Sequence, residues 1–566
     1  MSEVVPLINA AELEARFHKH NLSLPKTPIL VSLWLGSFLA AIDNTVVANM
    51  MSSVANEFHQ TDKQQYIATS FLLTNTAFQP LYGKLSDLIG RKKALMIALF
   101  FFWIGCIVTM FAHSVEQFAL GRLICGMGAG GVNSLSSVIV SDICDARVRG
   151  IMQGYANLVY AAGQFLGAPI GGLIIDTIGW RYVFSLQVPL IIFCQILAWY
   201  NVNIKLAHVP KHDKYTWNHL KRLDIGGSFT LACSIGSFLI MSSEENLSQA
   251  TKQLLIFFGV AFFALFVLTE AYWAPERLIP FEILSGRTGA VSLITVISAF
   301  VTFGDFFRKP LYLQLLQNFT SSDCGIFTVF TAFAGPAASF ATGFITKHTS
   351  KNVEYVCYVL ALFSMTLQLV AQILETILVS KLKPQLGLAQ SDSTMKLFNS
   401  LGNDNFTWKV LLCLTTSASG YGYCTVLVST LVVVVFTVEK AKQGTVIGLF
   451  YLWRSLGTVF GASLILTAFE KVLEKNLYNY LVLEMNDLKN YKKLIHDSSL
   501  IRKIYNNDQA VTEKLLSIYR QSFVISYLPQ TSILVLGTII AIALVYKMDK
   551  VLNKPQKDNK DNEIAA

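Results

Sequence analysis

The feature that most constrains this chain is a repeated run of apolar residues, roughly 18–25 long, in which charges are rare. A run of that length crosses the ~30 Å hydrocarbon layer of a membrane as one α-helix. The sequence predicts fourteen such spans, at about 28–51, 66–83, 94–112, 116–140, 150–175, 182–202, 224–241, 253–273, 289–315, 324–346, 353–379, 409–437, 445–469 and 529–547. The expected fold class is therefore an all-α membrane protein.

Composition excludes a soluble protein of this length. Hydrophobic residue types make up 53% of the 566 residues, charged residues make up 14%, and the mean hydropathy is +0.49. The net charge of +9 sits in short loops and tails, where it orients a protein in membrane lipid. No basic run is interleaved with aromatic residues, so we expect no nucleic-acid partner.

Positive charge along the loops predicts the orientation of the chain. Counted from a cytosolic N-terminus, the inside loops carry most of the lysine and arginine, for example at 84–93, 205–222 and 347–351. The outside loops at 113–116 and 176–181 are poor in both residue types. Cytosolic loops of membrane proteins carry this excess, so we expect both termini in the cytosol.

The order of the spans predicts a 6+2+6 arrangement, with two six-helix halves around a midplane cleft. The expected segments are a cytosolic tail at 1–27, an N-terminal half at 28–205, a basic cytosolic segment with two extra helices at 206–288, a C-terminal half at 289–547 and a cytosolic tail at 548–566. The C-terminal half contains a long non-cytosolic loop at 470–528, which is lysine-rich. Long loops cross the membrane largely regardless of charge, so these lysines do not change the expected orientation. The apolar spacing of the loop predicts short amphipathic helices.

The turn after the second span reads GKLSDLIGRKK and begins at Gly83. Gly83 and Gly90 permit a tight turn and a close helix approach. Asp87 can accept hydrogen bonds from a helix terminus or a basic side chain, a contact that can break when two halves separate. A positive-inside anchor would need Arg91 and Lys92 but not these glycines or Asp87. The turn resembles the signature loop of the major facilitator superfamily, which implies a gating role.

The fifth span contains the string GQFLGAPIGG, with Gly163, Gly167, Pro169, Gly171 and Gly172. Glycines spaced by four put a smooth stripe on one helix face, so a second helix can approach closely, and the proline adds a bend. Such a stripe also serves ordinary packing. The complete string resembles the antiporter motif of the fourteen-helix, drug:proton antiporter branch of that superfamily.

Two charges inside the first half are candidates for proton coupling or substrate binding. Arg122, in LGRLICG, resembles the intramembrane arginine motif that the family links to proton transfer, although Cys125 replaces the usual glutamine. Asp43, in IDNTVV, matches the first-helix motif of the same branch. A charge within a span costs ~2.5–3.5 kcal/mol or more unless it is paired, so a structural ion pair is the alternative to a functional role.

Further charges lie in the spans of the second half. Asp305 is the third candidate for proton coupling or substrate binding, and Arg308 follows one turn later, where an internal pair is equally expected. Arg454 lies in the span at 445–469, and we expect it to be a structurally paired charge. Together, Asp43 and Asp305 would give each half one acidic residue suited to a cationic ligand.

Longer strings resemble the fungal vacuolar basic amino acid transporters. They are SFLLTNTAFQPLYG at 70–83, YLQLLQ at 312–317, FTVEK at 436–440 and GLFYLWRSLG at 448–457. The resemblance implies exchange of cytosolic lysine, arginine or histidine for vacuolar protons, without a cofactor. The alternatives are a drug or organic-cation antiporter at the plasma membrane and a nutrient sensor that no longer transports. No HExxH, phosphate loop or catalytic triad is present, so no enzyme is expected.

Short signals concern location and modification. Glu3, Leu7 and Ile8 fit the acidic dileucine pattern that sorting adaptors bind on cytosolic tails, which favours the vacuolar membrane. Sequons at Asn318 and Asn405 fall in non-cytosolic loops and are possible N-glycosylation sites. The nine cysteines form no CxxC spacing, so we expect no metal site.

Overall fold

The structure is a computed structural model of the chain. It describes residues 10–552 except 61–62, 208, 210–222, 244–248, 274–276, 278–285, 318, 320, 383, 385–404, 439–441, 486, 488–489, 492–493, 495–500 and 506–507. All regular secondary structure in these residues is helical. The sorting residues Glu3, Leu7 and Ile8, the sequon at Asn318 and the tail from 553 onward lie outside the described residues.

A short helix and six long helices form the first part of the molecule. They are α1 (Ala10–Leu22), α2 (Lys26–Glu57), α3 (Gln64–Ile89), α4 (Arg91–Met110), α5 (Val115–Ile143), α6 (Ala146–Thr177) and α7 (Arg181–Asn201). Two further helices follow, namely α8 (Ile225–Ser243) and α9 (Gln249–Leu268). A π-helical turn at Thr269–Trp273 continues α9.

Six more long helices form the last part. They are α10 (Gly286–Gln317), α11 (Ser321–His348), α12 (Val353–Lys381), α13 (Asn405–Thr437), α14 (Gln443–Leu477) and α15 (Gln509–Leu552). A π-helical segment at Tyr478–Glu484 continues α14, and Ile501–Ile504 is a single helical turn. The sequon residue Asn405 is the first residue of α13.

Each predicted span coincides with one of these long helices, and the all-α class is confirmed. Within the described residues, nine helices are long and apolar enough to cross a membrane. Their outer faces are apolar: on α9, for example, Phe257 is 66% exposed and Phe263 is 52% exposed. Lipid is the environment in which a helix can expose such side chains without cost.

The helices pack into separate cores for the first and last six. Helices α2–α7 enclose one apolar core around residues such as Leu33, Phe102 and Phe184. Helices α10–α15 enclose two others, one with Ile294 and Met365 and one with residues contributed by the α14 and α15 extensions. One core in the first six of these helices and two in the last six divide them into an N-terminal half and a C-terminal half.

The helices α14 and α15 reach well into the predicted loop at 470–528. The helix α15 spans 44 residues and contains Pro529, the position at which the sequence pattern places the start of the last span. Proline disfavours a helix interior, but neighbouring helices in a membrane protein can compensate for the lost hydrogen bond. The side chains of Leu477, Leu481 and Leu494 are fully buried against these extensions. The apolar spacing of this segment therefore reflects burial.

Candidate functional site

Asp43 in α2 and Arg122 in α5 form an ion pair inside the N-terminal half. Arg122 Nη1 donates a hydrogen bond to Asp43 Oδ2 at 2.6 Å, and the two side chains are 1% and 0% exposed, respectively. The guanidinium of Arg122 also lies 4.3 Å from the centre of the Phe71 ring in α3, a cation–π contact. The structure thus brings together two of the three predicted coupling residues.

Each member of this ion pair keeps one polar atom that is not hydrogen-bonded in the described structure. Within the described residues, the buried atoms Asp43 Oδ1 and Arg122 Nε have no hydrogen-bond partner. A carboxylate oxygen without a donor can take up a proton. A proton on Asp43 would remove the counter-charge of Arg122, and a lone charge inside a membrane is costly. Protonation would therefore favour a different arrangement of α2, α3 and α5.

The glycine stripe on α6 packs against the segment of α2 that carries Asp43. A Cβ on Gly163 would lie 2.7 Å from the Phe38 carbonyl oxygen, and one on Gly171 would lie 2.6 Å from the Val46 side chain. A Cβ on Gly167 would lie 3.0 Å from Thr45. Three glycines therefore allow the close approach of α2 and α6.

The remaining two residues of that string differ from the stripe. A Cβ on Gly172 would meet nothing within 4 Å. Pro169 lies within α6, but its side chain is outside the part of the chain that the structure describes. The helix contact is therefore made by every fourth residue from Gly163, whereas Gly172 lies off the contact face.

A second buried charge network occupies the C-terminal half. On α10, Arg308 donates to Asp305, and Lys309 lies 3.8 Å from the other carboxylate oxygen of Asp305. Lys309 Nζ also contacts Glu375 of α12 at 2.9 Å. Tyr527 of α15 donates its hydroxyl to Glu375 at 2.9 Å, and its ring lies 3.3 Å from the Arg308 guanidinium. Two carboxylates and two cations thus neutralise one another.

Glu375 is a site residue that the sequence reasoning missed. It is 1% exposed and belongs to the same buried face of α12 as Ser364, Gln368 and Gln372. These four residues follow one another at intervals of four, four and three, the spacing of one helix face. A polar stripe of this kind inside an apolar span was the signal that could have identified Glu375.

Asp87, in the last turn of α3, caps a helix of the opposite half. Its carboxylate accepts hydrogen bonds from the backbone amides of Gly444 and Thr445, at 3.2 and 2.7 Å, and from the Thr445 hydroxyl at 2.9 Å. These residues begin α14, where free amides and the helix dipole favour a negative charge. Arg91 orients Asp87 with a 2.5 Å hydrogen bond and contacts Asp142 of α5 at 2.8 Å.

The glycines of this turn have separate structural roles. A Cβ on Gly83 would overlap the backbone of Gly444 and would lie 3.1 Å from Gly448, so only glycine permits this crossing of α3 and α14. Gly90 adopts a φ of +95°, which side chains rarely tolerate, and separates α3 from α4. Lys92 points elsewhere: its ammonium lies 4.8 Å from the centre of the Trp199 ring in α7.

Further contacts join the two halves at other points along the seam. Ser455 of α14 donates to Gln79 of α3 at 3.0 Å. Asn157 of α6 donates to Ser339 of α11 at 2.7 Å, and a Cβ on Gly150 would lie 2.8 Å from Gly343. The hydroxyl groups of Ser137 in α5 and Tyr451 in α14 also share a hydrogen bond.

The predicted charges do not all meet at one place. Asp43 pairs within the N-terminal half and Asp305 within the C-terminal half. Arg308 is fully buried and paired with Asp305, as the i, i+3 spacing predicts. Arg454 is partly buried, and its guanidinium lies 4.8 Å from the centre of the Tyr451 ring. Of the five charged residues that the sequence predicts inside the spans, four form two ion pairs in the described part of the chain. Arg454 lies apart from both pairs.

Two helical halves that meet along a seam and bury ion pairs within their helices are typical of membrane transporters. The chain belongs to the Major Facilitator Superfamily, whose family model matches residues 33–462. It is therefore a transporter and not an enzyme.

Relatives and a solved structure add to this assignment. "Vacuolar basic amino acid transporter 1" of Saccharomyces cerevisiae is 46% identical to this chain over 95% of each chain. "Multidrug resistance protein fnx1" of Schizosaccharomyces pombe is 32% identical to this chain, and the match spans 81% of this chain and 82% of fnx1. The match to the structure of the human organic anion transporter MFSD10 (TETRAN) spans 91% of this chain and 99% of the MFSD10 chain, with a TM-score of 0.53 and 12% identity. At this identity the match supports the fold alone. The expected location is confirmed: this is a multi-pass protein of the vacuolar membrane.

Proposed function

We propose that this protein exchanges protons of the vacuolar lumen for basic amino acids of the cytosol, namely lysine, arginine and histidine. The observation that carries the proposal is the buried Asp43–Arg122 pair, which retains an unpartnered carboxylate oxygen within a transporter fold. The similarity to a protein named as a vacuolar basic amino acid transporter supports the substrate class. Small cationic amino acids and protons are then the ligands, and no cofactor is needed.

The proposed topology is six, two and six membrane spans with both termini in the cytosol. In this orientation the turn that carries Asp87 and Arg91 lies on the cytosolic side, together with the contact between Gly150 and Gly343. Basic loops at 84–93 and 347–351 support that side as cytosolic. The halves are then closed toward the cytosol, and transport requires these contacts to break in each cycle.

The proposed coupling uses the charge balance of the Asp43–Arg122 pair. Deprotonated Asp43 neutralises Arg122, whereas protonated Asp43 leaves that cation without a partner. Because the α6 glycine stripe packs against this part of α2, a change at Asp43 can shift α2 relative to α6. A proton from the acidic lumen would thus change the relative stability of the two access states.

The second network offers a further carboxylate for a proton or a substrate cation. Glu375 binds Lys309 and Tyr527, and Asp305 binds Arg308 within the C-terminal half. Since the network is neutral, one added proton would leave it with excess positive charge. We assign Asp305 and Glu375 a supporting role in coupling, and Asp43 the primary one.

Transport by purified protein in sealed vesicles tests this function. With an acidic interior and a neutral exterior, labelled lysine, arginine and histidine should accumulate, and dissipating the pH gradient should abolish accumulation. The 32% identical relative that is named as a multidrug resistance protein makes drug export the second candidate. Accumulation of organic cations without any amino acid uptake would favour that candidate and contradict ours.

A further inference from the structure

Arg454 differs from the fully buried arginines in its lack of an acidic partner. Arg91, Arg122 and Arg308 each form an ion pair with an aspartate. Among the residues that the structure describes, no carboxylate lies within 4.0 Å of the Arg454 guanidinium. A charged guanidinium inside a membrane span is costly when unpaired, so it is retained where it binds a ligand or lines a hydrated cavity.

Arg454 lies at the seam between the two halves. Its neighbours on α14 cross that seam: Tyr451 shares a hydrogen bond with Ser137 of α5, and Ser455 donates to Gln79 of α3. The Arg454 guanidinium faces the Tyr451 ring at 4.8 Å. The two halves therefore meet beside this cation, which is the arrangement that a substrate site between halves requires.

Two tyrosines complete these surroundings. Tyr160 of α6 and Tyr423 of α13 lie within electrostatic range of the Arg454 guanidinium. Both are partly buried, and their helices belong to opposite halves. A tyrosine hydroxyl can donate a hydrogen bond to an anion, whereas it cannot neutralise arginine at neutral pH. The cluster thus provides one cation and several hydroxyl groups, without a fixed negative charge.

The depth of Arg454 also suits a substrate site. Thr445 marks the end of α14 that Asp87 caps. Nine residues at the helical rise place Arg454 about 14 Å from that end. This is about half of the ~30 Å hydrocarbon thickness, so Arg454 lies near the midplane. Gln79 of α3, which accepts the hydrogen bond from Ser455 beside Arg454, lies eight residues, or about 12 Å, along α3 from Phe71. Phe71 is the residue that Arg122 of the ion pair contacts.

We propose that Arg454 binds the α-carboxylate of an amino-acid substrate, with the guanidinium fork donating two hydrogen bonds. The inference rests on the proposed function for the substrate class and adds the group that recognises it. Arginine matches a carboxylate in bidentate geometry better than any other side chain. The same cation repels organic cations that lack a carboxylate. Arg454 would therefore select basic amino acids over the corresponding amines.

Equilibrium binding of labelled lysine to the purified full-length protein tests this selection. Unlabelled lysine competes in one arm and cadaverine in the other, since cadaverine keeps the chain and an ammonium at each end but lacks the carboxylate. In the unmodified protein, lysine should compete at least about tenfold better than cadaverine, the effect expected of a charge-assisted hydrogen bond. Equal competition by lysine and cadaverine would overturn the inference without any variant.

The variants Arg454→Gln and Arg454→Lys refine the test. Arg454→Gln should weaken lysine binding at least about tenfold while cadaverine binding stays the same or improves. Arg454→Lys keeps the charge but loses the fork, so its selectivity should be intermediate. Arg287→Gln serves as a control because Arg287 is exposed and pairs with Glu354 on α12. A lysine-to-cadaverine ratio in Arg454→Gln that equals that of the unmodified protein would overturn the inference.

This measurement needs no pH gradient, so it separates the inference from the proposed function. Selective lysine binding that Arg454→Gln abolishes, together with no proton-driven uptake, would contradict antiport and leave the carboxylate site standing. Proton-driven uptake of lysine with unaltered selectivity in Arg454→Gln would support antiport and overturn the carboxylate site. A protein that binds no labelled lysine would overturn the carboxylate site directly.

Discussion

The ion pair between Asp43 and Arg122 holds two opposite charges where neither is exposed to water. We expect Asp43→Asn to abolish proton-driven lysine uptake because the amide cannot titrate. It should also lower stability, since removing one member of a buried pair costs about 3–5 kcal/mol. Uptake into vesicles and thermal unfolding of the purified protein measure the two effects separately.

The double variant Asp43→Asn/Arg122→Gln distinguishes coupling from folding. Removing both charges eliminates the uncompensated cation, so the double variant should regain most of the lost stability while uptake stays at background. Wild-type uptake in either variant would refute the coupling role of Asp43. A double variant as unstable as the single one would show that the two charges are not mutually compensating.

Glu375 gives a second prediction at the level of single residues. Glu375→Gln should reduce lysine uptake at least about tenfold because it leaves Lys309 without its nearest carboxylate in a buried site. Glu354→Gln is the matched control on the same helix, since Glu354 pairs with the exposed Arg287, and such pairs contribute about 0–1 kcal/mol. Equal uptake by the two variants would show that the buried network has no part in transport.

At the scale of helices, the contact between α2 and α6 depends on every fourth residue. Gly163→Ala should destabilise the protein by about 1–3 kcal/mol, since the added Cβ meets a backbone oxygen that cannot move aside. Gly172→Ala should be neutral or slightly stabilising because its Cβ meets open space and alanine favours a helix. Thermal unfolding of both variants tests the pair, and identical melting temperatures would contradict the packing that the structure describes.

The contact between the end of α3 and the start of α14, which we propose acts as a gate, gives a prediction about turnover. Asp87→Ala removes the cap on α14, so it should lower the maximal uptake rate about tenfold while changing the apparent affinity for lysine less than about twofold. The physical reason is distance: the cap lies about 14 Å from the proposed substrate site.

Lys92→Ala is the control for this gate because Lys92 belongs to the same turn but packs on Trp199, away from α14. It should leave the rate nearly unchanged. Initial rates over a range of lysine concentrations measure both variants. Weaker apparent affinity with an unchanged maximal rate in Asp87→Ala would mean that the turn acts in binding rather than in gating.

Elements were easier to predict from the sequence than contacts. The apolar runs predicted every long helix, since span length is fixed by the membrane. The end of α14 and the start of α15 were not predictable from hydropathy because both helices continue past the apolar run, where lysine and Pro529 interrupt the pattern. The resemblance of the GQFLGAPIGG string could not reveal that Gly172 lies off the packed face.

Among the site residues, those that are paired locally were predictable. Arg308 follows Asp305 by three residues, so their contact can be read from the spacing. The partner of Asp87 could not be predicted in this way, because Thr445 lies more than 350 residues away along the chain. Glu375 was missed because a single carboxylate is less conspicuous than the polar face to which it belongs.

For the whole molecule, the central claim is that amino acids enter the vacuole as protons leave it. Each unit of pH difference supplies about 1.4 kcal/mol per proton exchanged, which sustains about a tenfold gradient of lysine at one-to-one coupling. The direction follows from the acidic lumen and from the proposed orientation, in which both termini are cytosolic. The proposed exchange would need both halves, since residues from both form the seam.

The most direct measurement follows both fluxes in the same vesicles. Purified protein is reconstituted into vesicles with an acidic interior that contains a pH-sensitive dye, and labelled lysine is added outside. Our account predicts that lysine accumulates and that the interior pH rises faster than in vesicles without substrate, with both changes absent in Asp43→Asn. Lysine entry with no effect on interior pH, or with further acidification, would contradict proton exchange.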